Sequence, residues 1–238
     1  MEYGIDQFKN DCIQMDINLS DKQILQFQKY YEILNEWNNF MNLTAITEYS
    51  DVLKKHFLDS ISIVKAAKIK EGEMLLDIGT GAGFPGIPLK IVFPGLRIVL
   101  LDSLGKRVKF LNHVIVELGL EQIETIHGRA EDFAKNAAYR EQFHYVVSRA
   151  VANLSSLSEY CIPYTRLDGQ FISYKSGNVD EELKNAENAI RILGGKVDNI
   201  VRFILADTEE RTLVCVKKVK STPKKYPRKA GTPSREPL

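Results

Sequence analysis

The stretch LLDIGTGAGFPG, residues 75–86, decides the fold of this chain. An apolar run ends in the acid Asp77, and five of the next nine positions hold glycine or proline. Glycine permits left-handed backbone conformations and lets the main chain approach a ligand closely. We therefore interpret the stretch as the end of a buried strand followed by a tight, ligand-facing turn. A bend that binds nothing is the alternative.

The chain after this turn alternates between short apolar runs and helical segments. This alternation predicts an α/β fold built from βαβ crossovers, with a parallel sheet and helices on both faces. The last two runs, VRFIL and TLVCVKKV, are joined by ADTEER. That gap is too short for a helical crossover, so these runs should pair antiparallel. The prediction is a Rossmann-like, seven-stranded, mostly parallel sheet that ends in an antiparallel hairpin.

Two helices are predicted before the sheet. SDKQ, residues 20–23, is typical of a capping box, and apolar side chains follow it at spacings of three and four up to Met41. A second helix is predicted over residues 51–67. The predicted organisation is an N-terminal helical extension over 1–70, a main domain over 71–219 and an extended basic tail over 220–238, in one compact unit.

Composition limits the class of protein. The chain has 238 residues, of which 44% are hydrophobic, enough for a substantial core. Its three cysteines are scattered, which suits a reducing cytosol. Its four histidines show no metal-ligand spacing, so we expect no metal. No signal peptide and no apolar run of about 18 residues is recognisable, so we expect a cytoplasmic protein that does not enter a membrane.

The net charge of +1 conceals a basic end. Residues 211–235 carry nine lysines and arginines and no acid. A basic end on a near-neutral protein indicates a polyanionic partner, and a solvated tail is the alternative. The candidate phosphate contacts are Lys224, Lys225, Arg228, Lys229 and Arg235.

The glycine turn itself fits two nucleotide fingerprints. Gly81, Gly83 and Gly86 fit the G-x-G-x-x-G of dinucleotide-binding proteins. A second motif, the D-x-G-x-G-x-G of methyltransferases that use S-adenosyl-L-methionine, is matched by Asp77, Gly79, Gly81 and Gly83. The glycines alone do not distinguish the dinucleotide fingerprint from the methyltransferase fingerprint. The surrounding sequence has to decide between them.

That context favours the methyltransferase fingerprint. Pro85 removes a backbone donor where a pyrophosphate would need it, the closing hairpin is regular in methyltransferases, and no second domain remains for hydride chemistry. Asp102 ends the next strand, where a carboxylate can accept both ribose hydroxyls. Ala130 and Glu131 follow the third strand, where an adenine would lie. Asp102 suits NAD and S-adenosyl-L-methionine equally, so it supports adenosine binding without distinguishing the two cofactors.

The methyl acceptor is constrained only by what is missing from the sequence. A pyrimidine C5 acceptor needs a cysteine nucleophile, but Cys161 lies within a predicted helix and no Pro-Cys pair occurs. The N/D-P-P-Y/F loop typical of amino-nitrogen acceptors does not follow the fourth strand, which ends VVSRAVANL. A ring nitrogen with a free lone pair, such as guanine N7, requires no base. Arg149 could hold guanine O6, with a surface ion pair as the alternative.

At this point the residues resemble a known family, the glucose-inhibited division protein B family of bacterial small-subunit ribosomal RNA guanine-N7 methyltransferases. The similarity covers nearly the whole chain. It includes WNNFMNLTAI at 37–46, HFLDS at 56–60, the glycine turn, VVSRAVA at 146–152 and the end PRKAGTPSREPL. The resemblance implies a class I methyltransferase fold, S-adenosyl-L-methionine as cofactor, and 16S ribosomal RNA or the small ribosomal subunit as partner. We expect a monomer.

The resemblance also implies a set of cofactor contacts. Together with the fingerprint, the candidate cofactor-binding residues are Asp77, Gly79, Gly81, Phe84, Asp102, Ser103, Leu104, Ala130, Glu131 and Arg149. Phe84 would cover the methionine part of the cofactor, with packing over the loop as the alternative. Arg149 would position the base and the cofactor. The roles of His56, Asp59 and Ser60 stay open, between helix packing and function.

Two other functions are compatible with the sequence. One is a regulatory protein that binds S-adenosyl-L-methionine without turnover. The other is a small-molecule methyltransferase, although a neutral metabolite gains nothing from the basic end.

Overall fold

A seven-stranded sheet forms the centre of the computed structural model, which describes residues 3–238. The strands are β1 Met74–Ile78, β2 Arg97–Asp102, β3 Ile123–His127, β4 Phe143–Arg149, β5 Thr165–Ser176, β6 Gly195–Leu205 and β7 Glu209–Lys218. Their order across the sheet is β3-β2-β1-β4-β5-β7-β6. The first five strands pair in parallel, and β7 pairs antiparallel with both β5 and β6. This confirms the predicted sheet and its closing hairpin.

Helices cover both faces of the sheet. They are α5 Gly86–Val92, α6 Gly105–Glu117, α7 Ala130–Phe133, α8 Leu154–Cys161 and α9 Asp180–Ile192. Strand β1 lies in the middle and is buried from Leu75 to Ile78. A central parallel strand has no exposed face, which is why its sequence is a continuous apolar run up to Asp77.

The N-terminal region contains one more helix than the sequence predicted. Helix α1, Ile5–Gln14, buries only Phe8 and Cys12 and has no side-chain N-cap. Because it has no N-cap side chain, the start of this helix lacks the local signal that marks the start of α2. Helix α2, Asp21–Met41, begins at Ser20 with the predicted capping box, which is confirmed.

The helix predicted over 51–67 is a continuous helical segment made of four pieces. These are α3 Tyr49–Asp51, a π-helical stretch Val52–Leu58, α4 Asp59–Ile61 and a 3-10 turn Ser62–Lys65. The π-helical stretch shifts the register of the side chains, and such stretches are frequent at functional sites. It sets the positions of His56 and, one residue beyond its end, Asp59.

The segment after β7 is not a free arm, which corrects the prediction of an extended tail. Tyr226 and Pro233 are buried, and a short helix, α10 Thr232–Arg235, lies near the end. The segment packs because the domain offers buried partners for its charges, and Arg228 meets the fully buried Glu159. The short-range pattern of prolines and lysines could not reveal those distant partners. Among residues 3–238, no helix has the length and apolarity to cross a membrane.

Candidate functional site

Two clefts lie at the carboxyl edge of the sheet, where parallel α/β folds bind ligands. The first, which we call the nucleoside pocket, has a volume of about 280 Å³. It lies over the ends of β1, β2 and β3. Its lining includes Gly79, Leu101, Ser103, Ala130, Glu131, Val151, Tyr160, Gly231 and Ser234. Four of the predicted cofactor residues are therefore brought together here.

The glycine turn is shaped by one close approach. Gly79 has φ of +67°, and a Cβ at this position would lie 2.6 Å from Cγ2 of Val151. Only glycine fits such a backbone beside such a neighbour. The turn therefore brings bare backbone to the floor of the pocket, as predicted from the sequence.

Asp77 holds the turn from inside. Its Oδ2 accepts hydrogen bonds from the Thr80 hydroxyl at 2.7 Å and from the Gly86 backbone nitrogen at 2.8 Å. The carboxyl is fully buried, and burial raises its pKa from 3.8 to about 6, although both hydrogen bonds oppose the shift. Since Asp77 lines neither cleft, the structure gives it the role of shaping the loop.

The same contact bears on the choice between the two fingerprints. Gly86 is the first residue of α5, and its N–H is one of the free donors that a pyrophosphate would use at a helix N-terminus. Here that donor is already bound to Asp77. The Gly86 donor in the first turn of α5 is therefore not free to bind a phosphate, which agrees with the methyltransferase interpretation.

Asp102 ends β2 between Leu101 and Ser103, which line the nucleoside pocket. Its own carboxylate lines neither cleft, is 2% exposed and lies 3.5 Å from the Arg107 guanidinium. Its carboxylate accepts from the backbone nitrogens of Gly81 and Leu104, each at 2.9 Å. A carboxylate offers about four acceptor positions, so it retains capacity for ribose hydroxyls. Gly81 and Leu104 act by supporting Asp102, and Leu104 is itself well exposed at the N-cap of α6.

Ala130 and Glu131 begin α7 and border the pocket on its far side. The hydroxyl of Tyr164 donates to the Ala130 carbonyl at 2.5 Å. Glu131 Oε1 accepts from the backbone nitrogen of Gly231 at 2.8 Å. The pair is thus fixed on one side by Tyr164, in the short turn before β5, and on the other by the C-terminal segment.

The second cleft, which we call the acceptor cleft, has a volume of about 510 Å³. Gly79 lines both clefts, so they meet at that residue. Side chains from the N-terminal helical region, the glycine turn and the ends of β4, β5 and β7 surround it. Its lining includes Thr44, Lys55, His56, Asp59, Gly79, Gly81, Phe84, Arg107, Arg149, Tyr174, Lys175 and Arg211.

A buried acid joins two arginines in the acceptor cleft. Asp59 Oδ2 lies 2.6 Å from a terminal guanidinium nitrogen of Arg149, and Asp59 Oδ1 lies 3.0 Å from Nε of Arg211. The Asp59 side chain is 6% exposed and those of the arginines 13% and 15%. Arg149 is therefore held in a mostly buried network, which excludes the surface ion pair considered from the sequence.

An aromatic stack borders this network. The imidazole of His56 stacks on Phe84 with ring centres 4.5 Å apart, and the Arg149 guanidinium carbon lies 5.2 Å from the Phe84 ring centre. His56 Nε2 is 2.8 Å from the Thr44 hydroxyl. Burial, and then the positive charge of Arg149, lower the pKa of His56 from 6.5 to about 3. The imidazole is therefore neutral at physiological pH.

Sequence reasoning missed part of this cleft. It left Asp59 and His56 without a role, and it counted Arg211 only as part of the basic end. No local pattern links these residues, because Asp59 and Arg211 are 152 positions apart. The available signal was their chemistry: a histidine and an acid that flank the apolar residues Phe57 and Leu58.

The predicted phosphate contacts divide into two groups. Lys224, Lys225, Lys229 and Arg235 are exposed. Arg228 is not available, since its guanidinium contacts both carboxylate oxygens of Glu159, at 2.7 and 3.0 Å. Arg228 is thus a structural residue, which corrects its prediction as an RNA contact. Within the described part of the chain, no group of three or more His, Cys, Asp or Glu side chains is arranged to hold a metal ion.

Comparison with solved structures supports the fold. A SAM-dependent methyltransferase from Aquifex aeolicus superposes with a TM-score of 0.56 at 17% identity, covering 75% of this chain and 97% of that one. A mutant of MtNAS, solved in complex with S-adenosylmethionine, gives 0.56 at 15% identity, covering 91% and 78%. At these identities the likeness establishes a class I, Rossmann-like fold.

Comparison of sequences reaches further. Ribosomal RNA small subunit methyltransferase G of Lachnoclostridium phytofermentans is 57% identical over 225 residues, which cover 94% of this chain and 93% of that protein. The protein of the same name from Desulforamulus reducens is 53% identical over 231 residues, covering 97% and 96%. Residues 23–214 also match the GidB family model, described as rRNA small subunit methyltransferase G. The resemblance seen in the sequence is confirmed, and the chain belongs to the GidB family of ribosomal RNA small subunit methyltransferases.

Proposed function

We propose that this protein transfers a methyl group from S-adenosyl-L-methionine to N7 of a guanine in 16S ribosomal RNA. The observation that carries the proposal is the meeting of the two clefts at Gly79. One cleft suits a nucleoside and the other offers cationic and aromatic side chains to a base. Family membership supports the same reaction class.

The residues present fit the cofactor. Asp102 keeps acceptor capacity beside the pocket, Gly79 presents backbone without a side chain, and Ala130 leaves room at the adenine end. Phe84 and Arg149 border the adjoining cleft, on the side that the methionine part would occupy. When bound, S-adenosyl-L-methionine supplies an electrophilic methyl group whose leaving group departs neutral.

The acceptor cleft is suited to positioning. Guanine N7 carries a lone pair and no proton, so the chain has no proton to remove. Arg149, fixed by Asp59, presents a guanidinium of the kind that pairs with guanine O6. His56 is neutral, and because one face of its ring stacks on Phe84, its other face is the surface against which a base can stack. Orientation of the reactants and exclusion of water account for the catalysis.

The RNA binds to cationic side chains around the clefts. Lys224, Lys225 and Lys229 are exposed on the C-terminal segment and are the candidate phosphate contacts. Lys55, Lys175 and Arg107 line the acceptor cleft, but each is paired with an acid. Phosphate contacts of this kind position the RNA and make binding weaken steeply with salt. A ribosomal substrate is consistent with a cytoplasmic location, and we expect a monomer.

The proposal is tested with labelled S-adenosyl-L-methionine, using small ribosomal subunits and deproteinised 16S ribosomal RNA from cells that lack the protein. We expect label at N7 of one guanine, located by mass mapping of RNA fragments. Label in neither substrate, or label at another atom, contradicts the proposal. A regulatory protein without turnover would bind the cofactor and transfer nothing; this alternative and the small-molecule methyltransferase are not favoured, since the relatives are named as ribosomal RNA methyltransferases.

A further inference from the structure

The C-terminal segment forms part of the wall of the nucleoside pocket. We call residues 222–238 the strap. Gly231 and Ser234 line the pocket together with Glu131 and Tyr160. The Gly231 backbone nitrogen donates to Glu131 Oε1 at 2.8 Å. The strap thus touches one of the predicted cofactor residues directly, and the pocket is incomplete without it.

Buried contacts anchor the strap on both sides of Gly231. Arg228 pairs with the fully buried Glu159 at 2.7 Å. The Ser156 hydroxyl donates to the Pro233 carbonyl at 2.7 Å. Upstream, the Arg140 guanidinium donates to the carbonyls of Thr222 and Tyr226, at 2.8 and 2.9 Å. The position of the pocket wall therefore depends on contacts made along the whole strap.

The outer face of the strap carries cations without partners. Lys224, Lys225 and Lys229 are exposed, and none lies within 4.0 Å of a carboxylate among residues 3–238. Arg228 of the strap is instead paired with Glu159 of the domain. The strap therefore has exposed lysines that can bind a polyanion, while Gly231 and Ser234 of the same segment line the nucleoside pocket.

We propose that the strap belongs to the cofactor site and couples it to RNA, so that RNA bound at the three lysines raises the affinity for S-adenosyl-L-methionine. This inference rests on the proposed function for its RNA partner. RNA that holds the strap closed holds the pocket wall in place. By linkage, the cofactor must raise the affinity for RNA by the same factor.

The first test concerns the cofactor alone. Ser156→Ala removes the bond to Pro233, whereas Ser158→Ala makes the same change on α8 but removes only a bond within the helix, to the Leu154 carbonyl. Calorimetric titration should show that Ser156→Ala weakens cofactor binding about threefold or more and Ser158→Ala less than twofold. Arg228→Gln should weaken it at least tenfold, and Arg228→Lys less.

Hydrogen exchange provides a readout that needs no variant. Addition of S-adenosyl-L-methionine should slow amide exchange about tenfold or more in the strap peptide that contains Gly231. Unchanged exchange in that peptide, or equal cofactor affinity in Ser156→Ala and Ser158→Ala, overturns the place of the strap in the site.

The second test concerns the coupling. In the wild type, small ribosomal subunits should raise cofactor affinity about fivefold, and the same should hold for deproteinised 16S ribosomal RNA if free RNA is bound. Replacing Lys224, Lys225 and Lys229 by alanine should leave RNA-free affinity unchanged and abolish the increase. The matched control replaces three exposed lysines elsewhere, Lys22, Lys109 and Lys184, by alanine.

The outcomes separate the two proposals. An equal increase in both triple variants, or none in the wild type, overturns the coupling. Cofactor binding that depends on the strap, together with no methyl transfer to any RNA, would leave the strap in the site and overturn the proposed function instead.

Discussion

The nucleoside pocket and the acceptor cleft meet at Gly79 but are built in opposite ways. The pocket is mainly backbone and strand ends from neighbouring crossovers. The carboxylates of Asp77 and Asp102, which line neither cleft, accept hydrogen bonds from backbone nitrogens that hold the loops around it. The acceptor cleft is made of charged and aromatic side chains from distant parts of the chain. There Asp59 holds Arg149 and Arg211 across 90 and 152 positions of sequence.

The difference suggests a division of labour. A backbone-built pocket is fixed by the strand-turn-helix pattern and suits a cofactor shared by many methyltransferases. A side-chain-built cleft can be changed without disturbing the sheet, so we expect the choice of methyl acceptor to depend on it. The two regions should therefore respond separately to mutation.

The largest effect is expected at Asp59. Asp59→Ala leaves the mostly buried Arg149 without an acid and leaves Arg211 only Glu209. We therefore expect transfer to RNA to fall at least 100-fold and the free energy of unfolding to fall by about 2–4 kcal/mol. Cofactor affinity should change less than twofold. Urea denaturation, calorimetry and label transfer measure the three quantities.

Asp51→Ala is the matched control on the same helical segment. Asp51 pairs with Lys54 and Lys55 near the surface, so its loss should cost about 0–1 kcal/mol. Equal effects of the two substitutions would remove the distinction between a buried network and a surface pair.

Asp77 tests the loop beneath the pocket through pH. Burial raises the pKa of the folded carboxyl to about 6. Between about pH 4 and 6 the folded chain therefore holds a proton that the unfolded chain has released, and this group makes stability fall as pH rises through that window. The shift of the Asp77 pKa from 3.8 to about 6 corresponds to about 3 kcal/mol in the free energy of unfolding.

Asp77→Asn removes this titration while keeping an acceptor for Gly86 and Thr80. We compare the free energy of unfolding of Asp77→Asn with that of the wild type by urea denaturation. The difference, variant minus wild type, should rise by about 3 kcal/mol from pH 4 to pH 7. Asp132→Asn, at an exposed acid, should keep the wild-type pH dependence. The same dependence in all three proteins contradicts the assignment.

Asp102 tests the nucleoside pocket itself. Asp102→Ala removes an acceptor for the ribose and the support of Gly81, so we expect the dissociation constant for S-adenosyl-L-methionine to rise about tenfold. Asp132→Ala, at an exposed acid on the same edge of the sheet, should change it less than twofold. Wild-type affinity in Asp102→Ala, measured by calorimetry, would refute the ribose assignment.

The smallest effect is expected from pH on the chemical step. The pKa of His56 lies at about 3, and guanine N7 needs no base. The rate of transfer at saturating cofactor and RNA should vary less than twofold between pH 6.5 and 8. A tenfold rise with pH over this range would show a general base at work in the cleft.

The comparison also explains what the sequence could reveal. The sheet, the hairpin, the α2 capping box and Gly79 follow from local patterns of spacing and turn chemistry, and all were predicted. Arg149 was found because it ends a buried strand, β4, at the edge of the sheet where ligands bind. Its partners were not, because the contacts of Asp59 and His56 depend on how a π-helical stretch packs against the sheet.

The strap shows the same limit at the other end of the chain. Its prolines and lysines are typical of an extended basic arm, and only the fully buried Glu159 on α8 explains why Arg228 turns inward. A carboxylate inside a helix is visible in sequence, but its partner 69 positions away is not.

The division of labour is tested most directly by measuring cofactor affinity and saturated transfer rate in two isosteric variants, Asp59→Asn and Asp102→Asn. The expected result is a crossed pattern. Asp59→Asn should lose transfer to RNA at least tenfold with unchanged affinity for S-adenosyl-L-methionine, while Asp102→Asn should lose affinity about threefold or more and recover its rate at saturating cofactor. Parallel losses of both quantities in both variants would contradict the account.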